Sequence, residues 1–328
     1  MKPLKLVTDR SSLVPLRSVN WLAPSKGYET ILDDWLARSR SPHTKRMYLS
    51  NIRAFFESLG YQITPEILAQ FLLLDSHQAF ELVSQYHGSL IERSLAPATI
   101  NQKLAAIKSL VNYASQAGKC HYTLVNIKAE KLTQYRDTKG IPFEQFKLMM
   151  GAVDDLTIKG LRDRAILFLL WGNALRRGEI ANCDVSDFSP TAGELIITGK
   201  GKIGQPEVIS LGKGAIVAID SWLVKRKDYT STDPLFCAVH KGYWGNRLHT
   251  HSIYKLVQKY ANCAGIDKVM SPHRIRHSSI TEALNLTNGD VRKVQKLSRH
   301  SNLNTLMIYD DNRQNLQGEV TQMLDDLF

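Results

Sequence analysis

Four short stretches of this 328-residue chain carry side chains that could act together as reagents. One of them, "LSRHSNLNTLMIYDD", runs from Leu297 to Asp311 and sets Tyr309 nine residues after His300. Leu303, Leu306 and Met307 fall at helical spacing, so the stretch reads as a short amphipathic helix capped by Ser301 or Asn302. That accounts for the apolar residues, but not for a histidine before the helix and a tyrosine at its end. A phenol with a pKa of about 10 is a poor nucleophile at neutral pH unless cations lower that value or a base takes its proton. If Tyr309 reacts, basic groups must surround it; otherwise it is a core tyrosine whose hydroxyl reaches water.

The stretch "SPHRIRHSSITEAL" puts His273, Arg276 and His277 on one helical turn, because positions i, i+3 and i+4 share a face. Two histidines four apart suit a metal, but Arg274 stands where the zinc-protease pattern has Glu, and Arg276 would repel a cation. A solvated basic face remains, or an anion site in which an arginine fork holds oxygens and a histidine moves a proton. "GNALRRGEIANCDVSDF" places Arg176 and Arg177 at the end of an apolar helix, with Glu179 close behind. Arginine is rarely buried alone, so one of the two needs either a structural ion pair with Glu179 or a ligand. In "TGKGK", Lys200 and Lys202 occupy a turn. Exposed lysines serve solubility, yet a glycine on each side of Lys200 also lets the backbone approach a phosphate.

Taken in order, Arg, Lys, HxxR, His and Tyr resemble the tyrosine recombinases of the phage integrase and Xer type. "ALRRGEI" is similar to the family's GLRxSE box, "ITGKGK" to its lysine hairpin, "SPHRIRH" to its HxxR box and "LSRHSNLNTLMIYD" to its LGHxxxxxTxxxY box. Arg176 and Lys200 lie 24 residues apart, in keeping with that pattern. The resemblance runs from about residue 140 to the last residue. It implies that Tyr309 is the nucleophile and that Arg176 and Arg276 hold the non-bridging oxygens of a scissile phosphate. Lys200 would then protonate the leaving 5′ oxygen, His273 assist proton transfer, and His300 support the phosphate. Glu179 would orient the Arg176 region. Arg177 and Lys202 stand as alternatives to Arg176 and Lys200. Asn173-Ala174 replaces the usual Thr-Gly, Gly178 stands where Ser is common, and Ser298-Arg299 replaces Leu-Gly, so Arg299 adds a charge beside the site.

The chemistry of these residues agrees with that set. A phosphodiester repels nucleophiles, and in related phosphoryl transfers one arginine on the transferred group contributes roughly 10³–10⁵ in rate. The 5′ alkoxide leaves badly unless protonated, which a lysine can do. A phosphotyrosine keeps the bond energy, so rejoining needs no ATP, metal or cofactor. No Walker motif and no convincing acidic metal cluster is present in the sequence.

These groups need elements to hold them. The length suits about two domains, and 43% apolar residues suffice for a core. Nothing before residue 120 reads as a strand, whereas "YETILDDWLARS", "SPHTKRMYLSNIRAFFESLG", "TPEILAQFLLL", "SHQAFELVSQYHGSLIERSL" and "APATINQKLAAIKSLVNYASQAGK" read as helices, with Pro42 and Pro97 at starts and Gly60 and Gly118 at ends. The polar stretch near residues 126–140 reads as a linker. "GLRDRAILFLLWGNAL" is apolar almost all round, as a central buried helix is. "ELIITGKGKIGQPEVISL" sets two β-branched runs about a Gly- and Lys-rich turn, a hairpin. The expected fold is mostly α with a small β-sheet. It comprises an arm over residues 1–26, a helical core-binding domain over 27–125, a linker over 126–140 and a mixed α/β catalytic domain over 141–328.

Charge points to the partner. The 42 Lys+Arg outnumber the 31 Asp+Glu, for a net +11 and a pI near 9.4, as suits a polyanion such as nucleic acid. In the first domain, Thr44, Lys45, Arg46, Thr99, Asn101, Lys103 and Lys108 cluster at or near helix starts, where phosphates bind. With Lys202 they are the candidate DNA contacts. Four scattered cysteines without a CxxC pair fit a reducing cytosol, and no apolar run is long enough for a membrane span. A cytoplasmic, nucleoid-associated protein is expected. The resemblance implies double-stranded DNA sites as partner and a homo-tetramer on two duplexes, with a monomer or weak dimer off DNA. Val320, Met323, Leu324, Leu327 and Phe328 make an apolar helical stripe after Gly318, which the resemblance casts as a helix given to a neighbouring subunit, with Gly318 as hinge. Type IB topoisomerase-like or telomere-resolving chemistry is the first alternative, separable by a Holliday-junction assay. A DNA-binding regulator on an inactivated recombinase fold is the second, and the presence of all six reacting positions speaks against it.

Overall fold

The computed structural model describes residues 27–132, 140–199, 205–300, 302–303, 306–307 and 316–327. They divide between two compact units, Met1–Gln134 and Tyr135–Phe328. Among them the chain is mostly helical with one small sheet, as its patterning predicts.

The first unit contains α1 (Ile31–Ala37), α2 (Pro42–Ser58), α3 (Pro65–Leu72), α4 (Ser76–Glu92) and α5 (Pro97–Gln116). Proline opens α2, α3 and α5, where its fixed φ suits the helix and its missing N–H leaves no bond unmade. Ser41, Thr64 and Asp75 cap helices by accepting from Thr44 N–H at 3.4 Å, Ile67 N–H at 3.3 Å and Gln78 N–H at 2.8 Å. Phe55 meets Phe56, Phe71 and Tyr86 edge to face, with centroids 5.1–5.3 Å apart, the geometry ring quadrupoles favour. The start of the expected linker packs here. Ile127 is buried in this core, and Lys108 Nζ donates to its carbonyl. The Asn101 amide brackets the Glu130 backbone at 2.9 and 2.7 Å, while His87 meets the Glu130 carboxylate at 2.8 Å.

The second unit contains α6 (Phe143–Gly151), α7 (Ile158–Gly172), α8 (Arg177–Asn182), β1 (Phe188–Ser189), β2 (Glu194–Thr198), β3 (Pro206–Ser210), α9 (Lys213–Arg226), α10 (Thr250–Cys263), α11 (Pro272–Leu286), α12 (Val291–Ser298) and α13 (Leu316–Asp325). Helix α7 is the central element, with Ala165, Ile166, Leu167, Leu169 and Leu170 fully buried. Its one buried acid, Asp163, accepts from Arg162 at 2.6 Å and from the Tyr260 hydroxyl at 3.0 Å, so the charge is paired as burial requires. Strands β2 and β3 form the expected antiparallel hairpin, from Glu194 opposite Ser210 to Thr198 opposite Pro206. β1, too short to show an alternation, adds a third strand beside β2.

Leu303, Leu306 and Met307 are helical, and buried Leu306 packs with Ala174, Ile280, Leu284 and Val294. Helix α13 starts at Leu316 and passes through Gly318, which is therefore not the hinge that the sequence suggests. A glycine inside a helix costs only about 1 kcal/mol relative to alanine, too little to stop the helix there. Met323, Leu324 and Leu327 are exposed. No described helix is long and apolar enough to cross a membrane.

Candidate active site

The site begins where α7 ends. Asn173 is the C-cap of α7, and its amide donates to the Ser210 carbonyl at 2.8 Å, tying the helix end to β3. Ala174 follows with φ +46°, fully buried. Leu175 is buried as well, and Arg176 becomes the N-cap of α8. Glu179, three residues on, accepts the Arg176 N–H on Oε2 at 2.8 Å and the Arg176 guanidinium on Oε1 at 2.6 Å. Arg176 keeps a third of its side chain exposed. Arg177, the rival position, is exposed on the first turn of α8.

A second strip of the site comes from α11. Ser271 caps it by accepting from Arg274 N–H at 3.2 Å, with Pro272 at the first helical position. The expected single turn is present: the His273 and His277 rings meet edge to face at 4.2 Å, and Arg276 is buried. Arg276 donates to the carbonyls of Ala174 and Ser298, bridging the turn after α7 to the end of α12.

The third strip is the turn after α12. Arg299 is the C-cap, in the left-handed region at φ +56°. Its side chain is 7% exposed and donates to Glu179 Oε2 at 3.1 Å. It also reaches the carbonyls of Leu297 at 2.7 Å, Asn173 at 3.2 Å and Ala174 at 3.3 Å. His300 follows, its carbonyl accepting from Gln295 at 3.1 Å.

The charges act on one another. Burial raises the Glu179 carboxyl, but the Arg176 N–H and the guanidinium groups of Arg299 and Arg176 outweigh that and hold it below its ordinary value. Burial, then Arg276, Arg176, His273 and Arg299, push the His300 imidazole down to about 4. Three arginines and two histidines thus sit within electrostatic reach of one point, with Glu179 as the counter-charge. Such a place favours an added anion.

Arg176, Arg276, His273, His300 and Glu179 are therefore brought together by three separate elements. Tyr309, Lys200 and Lys202 lie outside the described residues. In the first unit, Gln102 reaches Met47 and accepts at its carbonyl from Asn51 at 3.4 Å, so the N-terminal portions of α2 and α5 lie side by side. They carry Thr44, Lys45, Arg46, Thr99 and Lys103. Burial and neighbouring Arg93 hold the Lys103 ammonium below its ordinary value. Asn101 and Lys108 instead use their polar ends on Glu130 and Ile127. Sequence reading had counted Arg299 as added charge only. The one signal of a larger part was that positions 174 and 299 both depart from glycine. No cluster of potential metal ligands is found among the described residues.

The chain is similar to known proteins over most of its length. Residues 139–315 match the Phage integrase family, and residues 32–118 match its N-terminal SAM-like domain. Tyrosine recombinase slr0733 of Synechocystis sp. is 48% identical over 300 residues, covering 91% of this chain and 96% of that one. A crystal structure of the XerH site-specific recombinase, bound to palindromic difH substrate as a post-cleavage complex, has a similar fold. Its TM-score is 0.63 at 18% identity, covering 95% of this chain and 99% of that chain. A lambda integrase tetramer bound to a Holliday junction matches with TM-score 0.62 at 15% identity, covering 87% and 78%.

Proposed function

We propose, on the premise that this chain belongs to the phage integrase family of tyrosine recombinases, that it exchanges DNA strands through Tyr309 without ATP or metal. The Tyr309 oxygen bonds to the scissile phosphorus as its proton leaves, with His273 assisting. The 5′ oxygen departs with a proton from Lys200, leaving a 3′-phosphotyrosine. Attack by a 5′ hydroxyl reverses the step on the same or a new strand. Arg176 and Arg276 hold the non-bridging oxygens, His300 supports the phosphate as a neutral ring, and Glu179 orients Arg176.

The observation that carries this reading is the grouping of three arginines from three separate elements: Arg176 and Arg299 both meet the buried Glu179 carboxylate, and Arg299 and Arg276 share the Ala174 carbonyl. A surface basic face has no reason to draw its cations from three elements around one buried carboxylate.

The same reading assigns the first unit to DNA binding, with Thr44, Lys45, Arg46, Thr99 and Lys103 on the adjoining N-terminal portions of α2 and α5 as phosphate contacts. Asn101 and Lys108 support these helices from within. The same reading keeps the division into arm, core-binding domain, linker and catalytic domain at the boundaries expected from the sequence, with Ile127 at the linker's start buried in the first unit's core. The tetramer on two duplexes is supported by the likeness to the lambda integrase tetramer, and a cytoplasmic, nucleoid-associated location follows from a DNA substrate.

Tyr309→Phe tests the reading. Removing one hydroxyl abolishes covalent protein–DNA adducts and leaves DNA binding nearly intact. An adduct that persists in this variant refutes it. Sequencing the DNA trapped on wild-type Tyr309 identifies the site.

A further inference from the structure

Among the described residues of the second unit, Ala174, Lys227, Asn288 and Arg299 have positive φ without being glycine, and two of them, Ala174 and Arg299, meet. Ala174 has φ +46° and Arg299 has φ +56°, and the Arg299 guanidinium donates to the Ala174 carbonyl at 3.3 Å. Arg276 donates to that same carbonyl, so one oxygen receives two arginines, one for each of its lone pairs. The same Arg299 nitrogen also meets Glu179, the carboxylate that holds Arg176.

We infer that Arg299 is a positioning residue of the cleavage step, one guanidinium that sets the places of both Arg176 and Arg276. This rests on the function proposed above. The argument is geometric. A guanidinium is planar, with five N–H donors in a fixed fork, and Arg299 spends its two terminal nitrogens on four acceptors from three segments. These are the Asn173 and Ala174 carbonyls after α7, the Leu297 carbonyl in α12 and the Glu179 carboxylate in α8. It is almost wholly buried, so water does not compete for those bonds. By drawing on Glu179 Oε2, it also keeps that carboxylate from turning its whole charge on Arg176. Arg176 is thereby oriented by Glu179 while its exposed portion is left for a phosphate oxygen. A glycine at position 299 fits the backbone better and leaves Arg276 to bridge the Ala174 and Ser298 carbonyls without it. Among the described residues its hydrogen bonds go to Asn173, Ala174, Leu297 and Glu179; it acts through Arg176, Arg276 and the turn that carries His300.

The test compares two substrates in single-turnover cleavage, each a duplex carrying the site recovered from trapped DNA. One has an ordinary scissile phosphate. The other has a methylphosphonate there, whose neutral methyl replaces a non-bridging oxygen and removes the need for arginine. Displacing a positioned group by about 1 Å costs about 10²-fold. Arg299→Gly is therefore expected to bind DNA like wild type, to cleave the phosphodiester about 10²-fold more slowly, and to recover most of that loss on the methylphosphonate. Arg176→Ala runs beside it as the control. If Arg176→Ala shows the loss and the recovery but Arg299→Gly cleaves like wild type, or loses equally on both substrates, the inference is overturned and the function stands. If Arg176→Ala cleaves the phosphodiester like wild type, the underlying reading fails. Arg299→Lys carries the test should the glycine variant not fold. An ammonium keeps the charge beside Glu179 but cannot span the carbonyls, so a smaller loss of the same substrate dependence is expected, and wild-type rates overturn the inference.

Discussion

The guanidinium of Arg176 lies 2.6 Å from one oxygen of Glu179, and the N–H of the same Arg176 lies 2.8 Å from the other. One carboxylate thus fixes both the backbone and the side chain of the arginine proposed to hold the scissile phosphate. The ion pair with Glu179 is present, and it leaves a third of the Arg176 side chain exposed.

Removing that carboxylate should cost stability as well as rate. Glu179→Ala leaves Arg299 buried without its counter-charge, a loss of about 3–5 kcal/mol, read as a lowered denaturant midpoint at constant slope. The pH dependence has a definite sign. The Glu179 carboxyl is held below its ordinary value of 4.5 in the folded state. Its contribution is therefore complete above about 4.5 and is lost as pH falls through the lower folded value. Wild-type stability should drop over that acid range by more than Glu179→Ala does.

His300 is expected to be neutral at physiological pH. Its folded value is about 4 against an ordinary 6.5, so between those values the unfolded chain binds the proton and acidification favours unfolding. An NMR titration of the His300 ring should show a midpoint near 4, not 6.5. The groups acting on it are Arg276, Arg176, Arg299 and His273, so Arg176→Gln should raise the midpoint. A midpoint near 6.5 in the wild type contradicts the cluster.

The choice between neighbouring residues can be read from rescue. Arg177 is exposed, so Arg177→Ala should keep nearly full cleavage where Arg176→Ala loses about 10³-fold or more. Lys200→Ala should cleave poorly on normal DNA and recover on a 5′-bridging phosphorothioate, whose sulfur leaves without a proton. Recovery in Lys202→Ala instead would transfer the acid role to Lys202.

Met323 and Leu324 of helix α13, and Leu327 just past its end, are exposed, and a ten-residue helix is marginal alone. Ending the chain after Gln317 should leave single-site DNA binding intact while synapsis and recombination collapse, as a helix donated around a closed ring requires. If the shortened protein loses its monomeric fold, the helix packs on its own unit and the exchange is refuted.

Local chemistry in the sequence determined the helices, their caps and the set of reacting residue types. Pro42, Pro97 and Pro272 start helices, and Ser41 and Ser271 cap them, through neighbours three residues away. A signal that short is readable in one dimension. The two-strand hairpin was readable for the same reason, while the two-residue β1 carried no period to read. Only the tertiary structure decided which arginine faces Glu179 and that Asn101 bonds to Glu130 and Lys108 to Ile127. It alone showed that Arg299 joins Ala174 to Glu179, contacts whose partners lie 125 and 120 residues away. Burial and pairing at that range depend on how α7, α8, α11 and α12 pack. No periodicity in the chain records which side chain of two adjacent arginines the packed interior will claim.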